Sequence, residues 1–266
     1  MENSYALVTG ASSGMGLEYV RQLAQRGYNV IIAALPGTVE SVAEDMKREF
    51  PDRDFVPVGL DLAQVDSAEK LVDTVREQRP GIFIEVLVNN AGLIRVRHYR
   101  SMSVPQIEQE ILLHNVTTAK LCRILLPEMK ERGRGYVLNV SSLAAWLPYP
   151  FISLYSATKA FNRTFTKALR IEYRKTGVKV ATVYFGAVDT PLYKLSDGKR
   201  RFARAIGVMI TPQRAVRVAL RMLFRGRSGR MPGFVNSLAY VVCPLLPNRL
   251  IAWIDRTVSK ALEIND

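Results

Sequence analysis

Histidine and cysteine are scarce in this chain, and their scarcity removes whole classes of chemistry. The 266 residues hold two histidines and two cysteines. Cys122 and Cys243 lie far apart and match no metal-ligand spacing, so no metal site is expected and each thiol reads as a small buried hydrophobe. Long apolar runs are missing as well. No stretch reaches the ~18 apolar residues of a spanning helix, and the nearest, residues 238–246, is short and stopped by Pro244 and Pro247. Residues 1–9 contain no basic stretch leading into an apolar run, so no secretory signal is read and the simplest location is cytoplasmic. Acid is in deficit too: 24 Asp and Glu face 37 Lys and Arg, a net charge of +13. That excess fits an acidic partner (nucleic acid, an anionic membrane surface, a phosphorylated substrate) or a well-solvated surface, and charge alone does not choose.

What the chain does have is rhythm. Short apolar runs at residues 5–8, 29–33, 55–59, 83–88, 135–140 and 178–184 read as buried strands. Amphipathic segments at 16–26, 39–50, 67–79, 104–132 and 155–176 read as helices between them. Repeated βαβ units of this kind predict an α/β fold, a doubly wound parallel sheet (Rossmann-like) with helices on both faces. No Pro/Gly-rich linker, internal repeat or low-complexity tract divides the chain, so residues 1–266 read as one domain. Beyond residue 184 the pattern changes. Residues 189–210 look like a mobile segment or short helix pair. Thr211-Pro212 opens a helix running to about Phe224, and a short strand at 231–235 and a helix from about Asn248 end the chain.

The first strand leads into Thr9-Gly10-Ala11-Ser12-Ser13-Gly14-Met15-Gly16 and then at once into a helix. Glycines there let the backbone approach a pyrophosphate, and the helix start offers free N–H donors. The spacing is Gly-x-x-x-Gly-x-Gly, and with it the chain resembles the short-chain dehydrogenase/reductase family of the Tyr-x-x-x-Lys type. The resemblance continues in order: Asp61-Leu62 after the third strand, similar to the family's adenine contact, then Asn89-Asn90-Ala91-Gly92 after the fourth, which borders the cofactor and steadies the sheet.

Tyr155-Ser156-Ala157-Thr158-Lys159 places Tyr155 and Lys159 one helical turn apart on one face. Ser142 precedes Tyr155 by the family's interval, and Asn115 falls where the family carries its fourth catalytic residue. A free phenol titrates near 10 and is a poor base at neutral pH. An ammonium about 5 Å away, at an effective dielectric near 20, contributes on the order of 3 kcal/mol, roughly two pKa units. That brings Tyr155 into the range of general acid–base work. The resemblance implies that Ser142 bonds the substrate oxygen, that Lys159 also binds the nicotinamide ribose and that Asn115 holds a relay water. It implies further that Gly186, Val188 and Thr190 line the nicotinamide site. Phe185 stands where the family has a proline, removing a fixed φ at the strand exit. Ser141 reads as structural, and His98 and His114 as ordinary surface or packing residues.

NAD or NADP is implied as cofactor. The acidic position that binds the NAD ribose falls on Ala34 and the neighbouring arginine position on Leu35, so neither signal is present. Lack of a repelling carboxylate, with the hydroxyls of Ser12 and Ser13, tilts the reading toward NADP. Substrate choice should reside in residues 187–210 and in the variable end, 231–266. Tyr193, Leu195, Phe202, Ile206, Val208, Met209 and Ile210 supply apolar surface there, among Lys194, Lys199, Arg200, Arg201 and Arg204. The next helix adds Arg214, Arg217, Arg221 and Arg225. A bulky lipophilic substrate, a steroid or long acyl chain, is one expectation, with the basic rim meeting an acyl carrier's phosphate or a membrane surface peripherally. The alternative is that the tail is core or interface and the arginines its solvated edge. Pro232-Gly233-Phe234-Val235-Asn236 is similar to a bacterial branch of the family. The family's habit implies a homo-oligomer, dimer or tetramer. An active dehydrogenase is the leading reading, a catalytically silent nucleotide-sensing regulator the alternative. No nucleic-acid module accompanies the charge.

Overall fold

The computed structural model describes residues 4–146, 149–190 and 209–229, together with the isolated positions 198, 201, 232, 247 and 249. Six strands, β1 (Ser4–Thr9), β2 (Asn29–Ala34), β3 (Phe55–Gly59), β4 (Phe83–Asn89), β5 (Gly135–Ser142) and β6 (Val178–Phe185), form one parallel sheet. Their order is β3-β2-β1-β4-β5-β6. Helices α1 (Gly14–Ala24), α2 (Val39–Glu49), α3 (Ser67–Gln78), α4 (Val104–Ile111), α5 (Thr117–Glu131), α6 (Ser153–Glu172) and α7 (Pro212–Phe224) flank it.

The strands are mainly apolar because both faces are covered. Successive side chains alternate between two cores. Ala6, Val8, Val30 and Ile32 enter the layer that also holds Tyr19 of α1 and Leu220 of α7. Tyr5, Leu7, Ile31 and Ala33 enter the layer with Leu71 of α3 and Leu125 of α5. Each fully buried Leu, Ile or Val contributes roughly 1.5–3 kcal/mol by leaving water. The sequence order reverses between β1 and β4, so the chain after β1 and the chain after β4 emerge side by side at the carboxyl edge, where such sheets bind ligands.

Four features differ from the pattern read in the sequence. The helix expected over 104–132 is interrupted: α4 and α5 are joined by a π-helical turn, Leu112–Val116. Side chains around the turn bond outward to other elements, Asn115 Nδ2 to the Thr158 carbonyl (3.0 Å) and Thr117 Oγ1 to the Leu62 carbonyl (2.7 Å). The register of β1 against β4 shifts between Tyr5 and Ala6, leaving Glu85 as an extra residue. Its carboxylate accepts from the Ser4 hydroxyl at 2.7 Å. Two further strands, β7 (Ala187–Val188) and β8 (Met209–Ile210), pair in parallel, and Asp189 N donates to Ile210 O at 2.9 Å. Met209 and Ile210 are accordingly buried, Ile210 within the core, rather than free surface for a substrate.

The helix opened by Thr211-Pro212 forms as expected. Thr211 is extended and its hydroxyl accepts from Arg214 N (3.4 Å). The strand at 231–235, the helix from 248, Cys243, the 232–236 motif and the loop side chains of residues 193–195, 199, 200, 202, 204, 206 and 208 lie outside the described residues.

Candidate active site

The loop after β1 is built for close backbone approach. Gly10 adopts φ +64, and a Cβ there would stand 2.8 Å from Ala91 Cα; a Cβ on Gly16 would stand 1.9 Å from the Gly10 carbonyl. Only glycine fits either position. The first turn of α1 carries no acid and its cap side chain makes no bond to it, leaving the positive end of the helix open toward the loop. The two switch-point loops are bolted together. Thr9 Oγ1 accepts from both Asn90 N and Ala91 N at 3.0 Å, and Asn90 Nδ2 donates back to Thr9 O at 2.9 Å. A pyrophosphate fits this arrangement: glycine clears the space, the helix start supplies donors, and nothing acidic in that turn opposes an anion.

Across the cavity stands α6. Tyr155 and Lys159 project from one face, and both line the cavity that the glycine loop closes on its other side. Lys159 Nζ lies 5.5 Å from the Tyr155 ring centroid and donates to the Val140 carbonyl at 3.3 Å. Burial pulls the ammonium down to about 8, and the carboxylate of Glu110 pushes the other way. Glu110 is itself buried, 1% exposed, with Arg95 Nη1 at 3.6 Å, and desolvation raises it. The site thus joins a glycine loop that would fit an anion to a phenol beside a buried cation. That pairing suits proton transfer at a group held near a bound dinucleotide.

A family model described as short chain dehydrogenase matches residues 4–200. The chain belongs to the short-chain dehydrogenase family. It is 35% identical over 202 residues to 17-beta-hydroxysteroid dehydrogenase type 3 of Mus musculus, covering 73% of this chain and 63% of that protein. It thus spans less than two thirds of the mouse enzyme's length. A very-long-chain 3-oxoacyl-CoA reductase of Anas platyrhynchos is 33% identical over 222 residues, 82% of this chain and 68% of that one. Among solved structures, a 7beta-hydroxysteroid dehydrogenase superposes with a TM-score of 0.79 at 25% identity, covering 89% of this chain and 90% of that one. A short-chain dehydrogenase from Sphingobium yanoikuyae in complex with NADPH shares the fold, with a TM-score of 0.75 at 22% identity over 99% of this chain and 96% of that one.

Most residues singled out by resemblance to the short-chain dehydrogenases meet in the cavity. Its wall includes Gly10, Ser13, Gly14, Met15, Gly16, Asn90, Ala91, Gly92, Ser142, Tyr155, Lys159, Gly186, Val188 and Thr190. Five others are not on it. Ser12 is half-buried in the loop beside it. Asp61 sits past the end of β3, its carboxylate accepting from Ala63 N (2.9 Å) and Gln64 Nε2 (3.1 Å). The Leu62 side chain is buried among the α3 and α5 residues. Asn89 lies inside the sheet edge, its amide donating to Asn139 Oδ1 at 2.8 Å and facing Cys122 Sγ at 3.7 Å. It ties β4 to β5 rather than lining the cavity. Asn115 is 8% exposed and reaches the Thr158 carbonyl behind the Tyr155–Lys159 face.

Ser142 Oγ donates to the Phe185 carbonyl (3.3 Å) and accepts from Ala144 N (3.2 Å). Ser141, read as structural, also lines the cavity, and its hydroxyl donates to the Lys159 carbonyl at 2.9 Å, fixing β5 to α6. Phe185 lines the cavity while remaining packed in the core. Sequence reasoning missed Leu93 and Val140 on the wall. Leu93 follows the Asn-Asn-Ala-Gly run directly, and Val140 precedes the two serines, so both could have been found by position. His114, read as a surface or packing residue, is buried at 1% exposed.

Proposed function

We propose that the protein is an NAD(P)-dependent oxidoreductase that interconverts an alcohol and a carbonyl, with Tyr155 as general acid/base. One observation carries the reading: a glycine cradle fit for a pyrophosphate and the Tyr155–Lys159 pair share one cavity. Gly10, Ser13, Gly14, Met15 and Gly16 would hold the phosphates, Asn90, Ala91 and Gly92 would border the ring, Lys159 would hold the ribose, and Gly186, Val188 and Thr190 the carboxamide. When bound, the nicotinamide supplies or accepts the hydride.

The chain's own residues manage the proton. In the reducing direction the Tyr155 hydroxyl donates to the substrate oxygen and is left as a phenolate. The Lys159 ammonium stabilises that phenolate, and with a pKa of about 8 it is still mostly cationic at neutral pH. Ser142, by turning its hydrogen from the Phe185 carbonyl, donates to the same substrate oxygen and holds its distance. Asn115, one layer behind Lys159, positions water for proton exchange with solvent.

The finer assignments follow from charge and lining. NADPH is preferred over NADH, because β2 ends at Ala34 and the next side chain, Leu35, is apolar and 62% exposed, so no carboxylate repels a 2′-phosphate. The substrate is bulky and lipophilic. Leu93, Val140, Phe185 and Val188 make that side of the wall apolar, and the relatives named above act on steroids and long acyl chains. Arg214, Arg217 and Arg221 stand exposed along α7 and Arg225 at its C-cap, and Arg26 is lowered by burial first and then by repulsion from Arg221 and Arg217. This face would meet an anionic membrane surface or an acyl carrier from the cytoplasm. Phe161, exposed on α6 and stacked on Phe165, suits contact with a second copy.

Nicotinamide absorbance, followed with NADPH or NADH against steroid, 3-oxoacyl and small-ketone panels, tests the reading. Turnover of a bulky ketone with NADPH is expected. Cofactor binding without turnover of any panel would overturn it in favour of a nucleotide-sensing regulator.

A further inference from the structure

We infer that His114 is a positioning residue that holds Tyr155 and the loop after Gly92 in one rigid unit through its neutral Nδ1–H tautomer. The inference rests on the proposed role of Tyr155, and it concerns a residue outside the Ser142, Tyr155, Lys159 and Asn115 group. His114 belongs to the π-helical turn, immediately before Asn115, and is 1% exposed. A buried imidazole is tolerated when both ring nitrogens are satisfied. Both are satisfied here, by groups remote in sequence.

The bond directions follow from one fixed donor. Leu93 N–H can only donate, and it points at His114 Nε2 at 3.0 Å, so Nε2 carries no hydrogen. The hydrogen is therefore on Nδ1, which donates to Thr158 Oγ1 at 2.9 Å. Thr158 spends its own hydrogen on the Tyr155 carbonyl at 2.8 Å. The result is a directed chain: Leu93 N–H to imidazole, imidazole to threonine, threonine to the backbone of Tyr155. The imidazole also stands edge-on to the phenol ring, centroids 5.8 Å apart at 79°. A Cβ on Gly92 would lie 3.1 Å from Nε2 and 3.6 Å from Lys159 Nζ, which places imidazole, loop and ammonium in one tight group.

The surroundings keep the ring neutral. Burial disfavours the imidazolium most, and Lys159 on α6 and Arg95 on the loop after β4 add repulsion. A positive ring would also turn an Nε2–H against the Leu93 N–H and break the chain at its first link. Leu93 lines the cavity, so the chain couples the position of the phenol to the part of the wall formed by the loop after β4.

Two measurements decide it. Nitrogen-15 NMR of the labelled whole protein at neutral pH should show His114 as the Nδ1–H tautomer; an Nε2–H ring or an imidazolium overturns the inference. This readout needs neither a variant nor turnover, so it still decides if the oxidoreductase reading fails for want of any active substrate. Kinetics then separate positioning from packing. His114→Asn places its amide near Nδ1 and keeps the Thr158 bond, so kcat should stay within about threefold while the cofactor KM rises about tenfold. His114→Gln places its amide near Nε2 and keeps the Leu93 bond, so kcat should fall about tenfold with cofactor KM little changed. Equal losses in both variants, tracking their loss of thermal stability, would make His114 a packing residue only.

Discussion

Lys159 is 5% exposed, and burial brings its ammonium from the ordinary 10.5 down to about 8. Below pH 8 both folded and unfolded chains hold the proton, and the folded one holds it at a penalty of about 3 kcal/mol. Between about pH 8 and 10.5 the unfolded chain binds more protons, so this group's contribution to stability rises with pH across that window. We expect Lys159→Met to raise the melting temperature of the cofactor-free protein by a few degrees at pH 7 and to abolish turnover; a lower melting temperature would refute the penalty. Tyr155→Phe keeps the ring and loses only the hydroxyl. It should bind cofactor within about twofold of the parent, by fluorescence titration, and lose at least about 10³-fold in kcat. Tyr155 and Lys159 were legible because a four-residue spacing gives them one face and the resemblance to the short-chain dehydrogenases, with Ser142 at the family's interval, singles the pair out. His114 was not, because its partners lie 21 and 44 residues away and only the folded chain brings them to it.

At the scale of elements, the strands and helices could be read from periodicity, and their ends fell within a few residues of those observed. What escaped were features with no period of their own. The π-helical turn adds one residue to a continuous amphipathic run, too little to alter the apolar stripe. β7 and β8 are two residues each, below the length at which alternation exists. Glycine at position 16 was legible and is demanding: Gly16→Ala would drive a methyl into the Gly10 carbonyl, where only backbone could yield. Cofactor affinity should fall by at least about tenfold, by titration, with a stability loss of about 1–3 kcal/mol. The Thr211 cap is a gentler test. Thr211→Ala should cost about 1 kcal/mol in urea unfolding, with kcat unchanged.

For the molecule as a whole, alternating buried strands and amphipathic helices joined by right-handed crossovers made the doubly wound architecture available from sequence, while the strand order came from the structure. The net charge was visible too, but its use was not, since composition does not say which face bears it. The structure puts three arginines along the outside of α7 and a fourth at its C-cap. Sedimentation with vesicles of phosphatidylserine and phosphatidylcholine, against vesicles of phosphatidylcholine alone, should show binding only to the former, and Arg217→Gln with Arg221→Gln should reduce it about tenfold. Binding to neither would remove the membrane proposal. The pairing of β7 with β8 has a separate consequence. Residues 187–188 and 209–210 are paired side by side, so the fold is pinned on both flanks of the stretch between them. Its length and composition can therefore drift in evolution, or be exchanged by grafting, while the sheet, the phosphate loop and the proton-handling face stay as they are. Under the proposed function, new substrates would be acquired there and the hydride chemistry inherited intact.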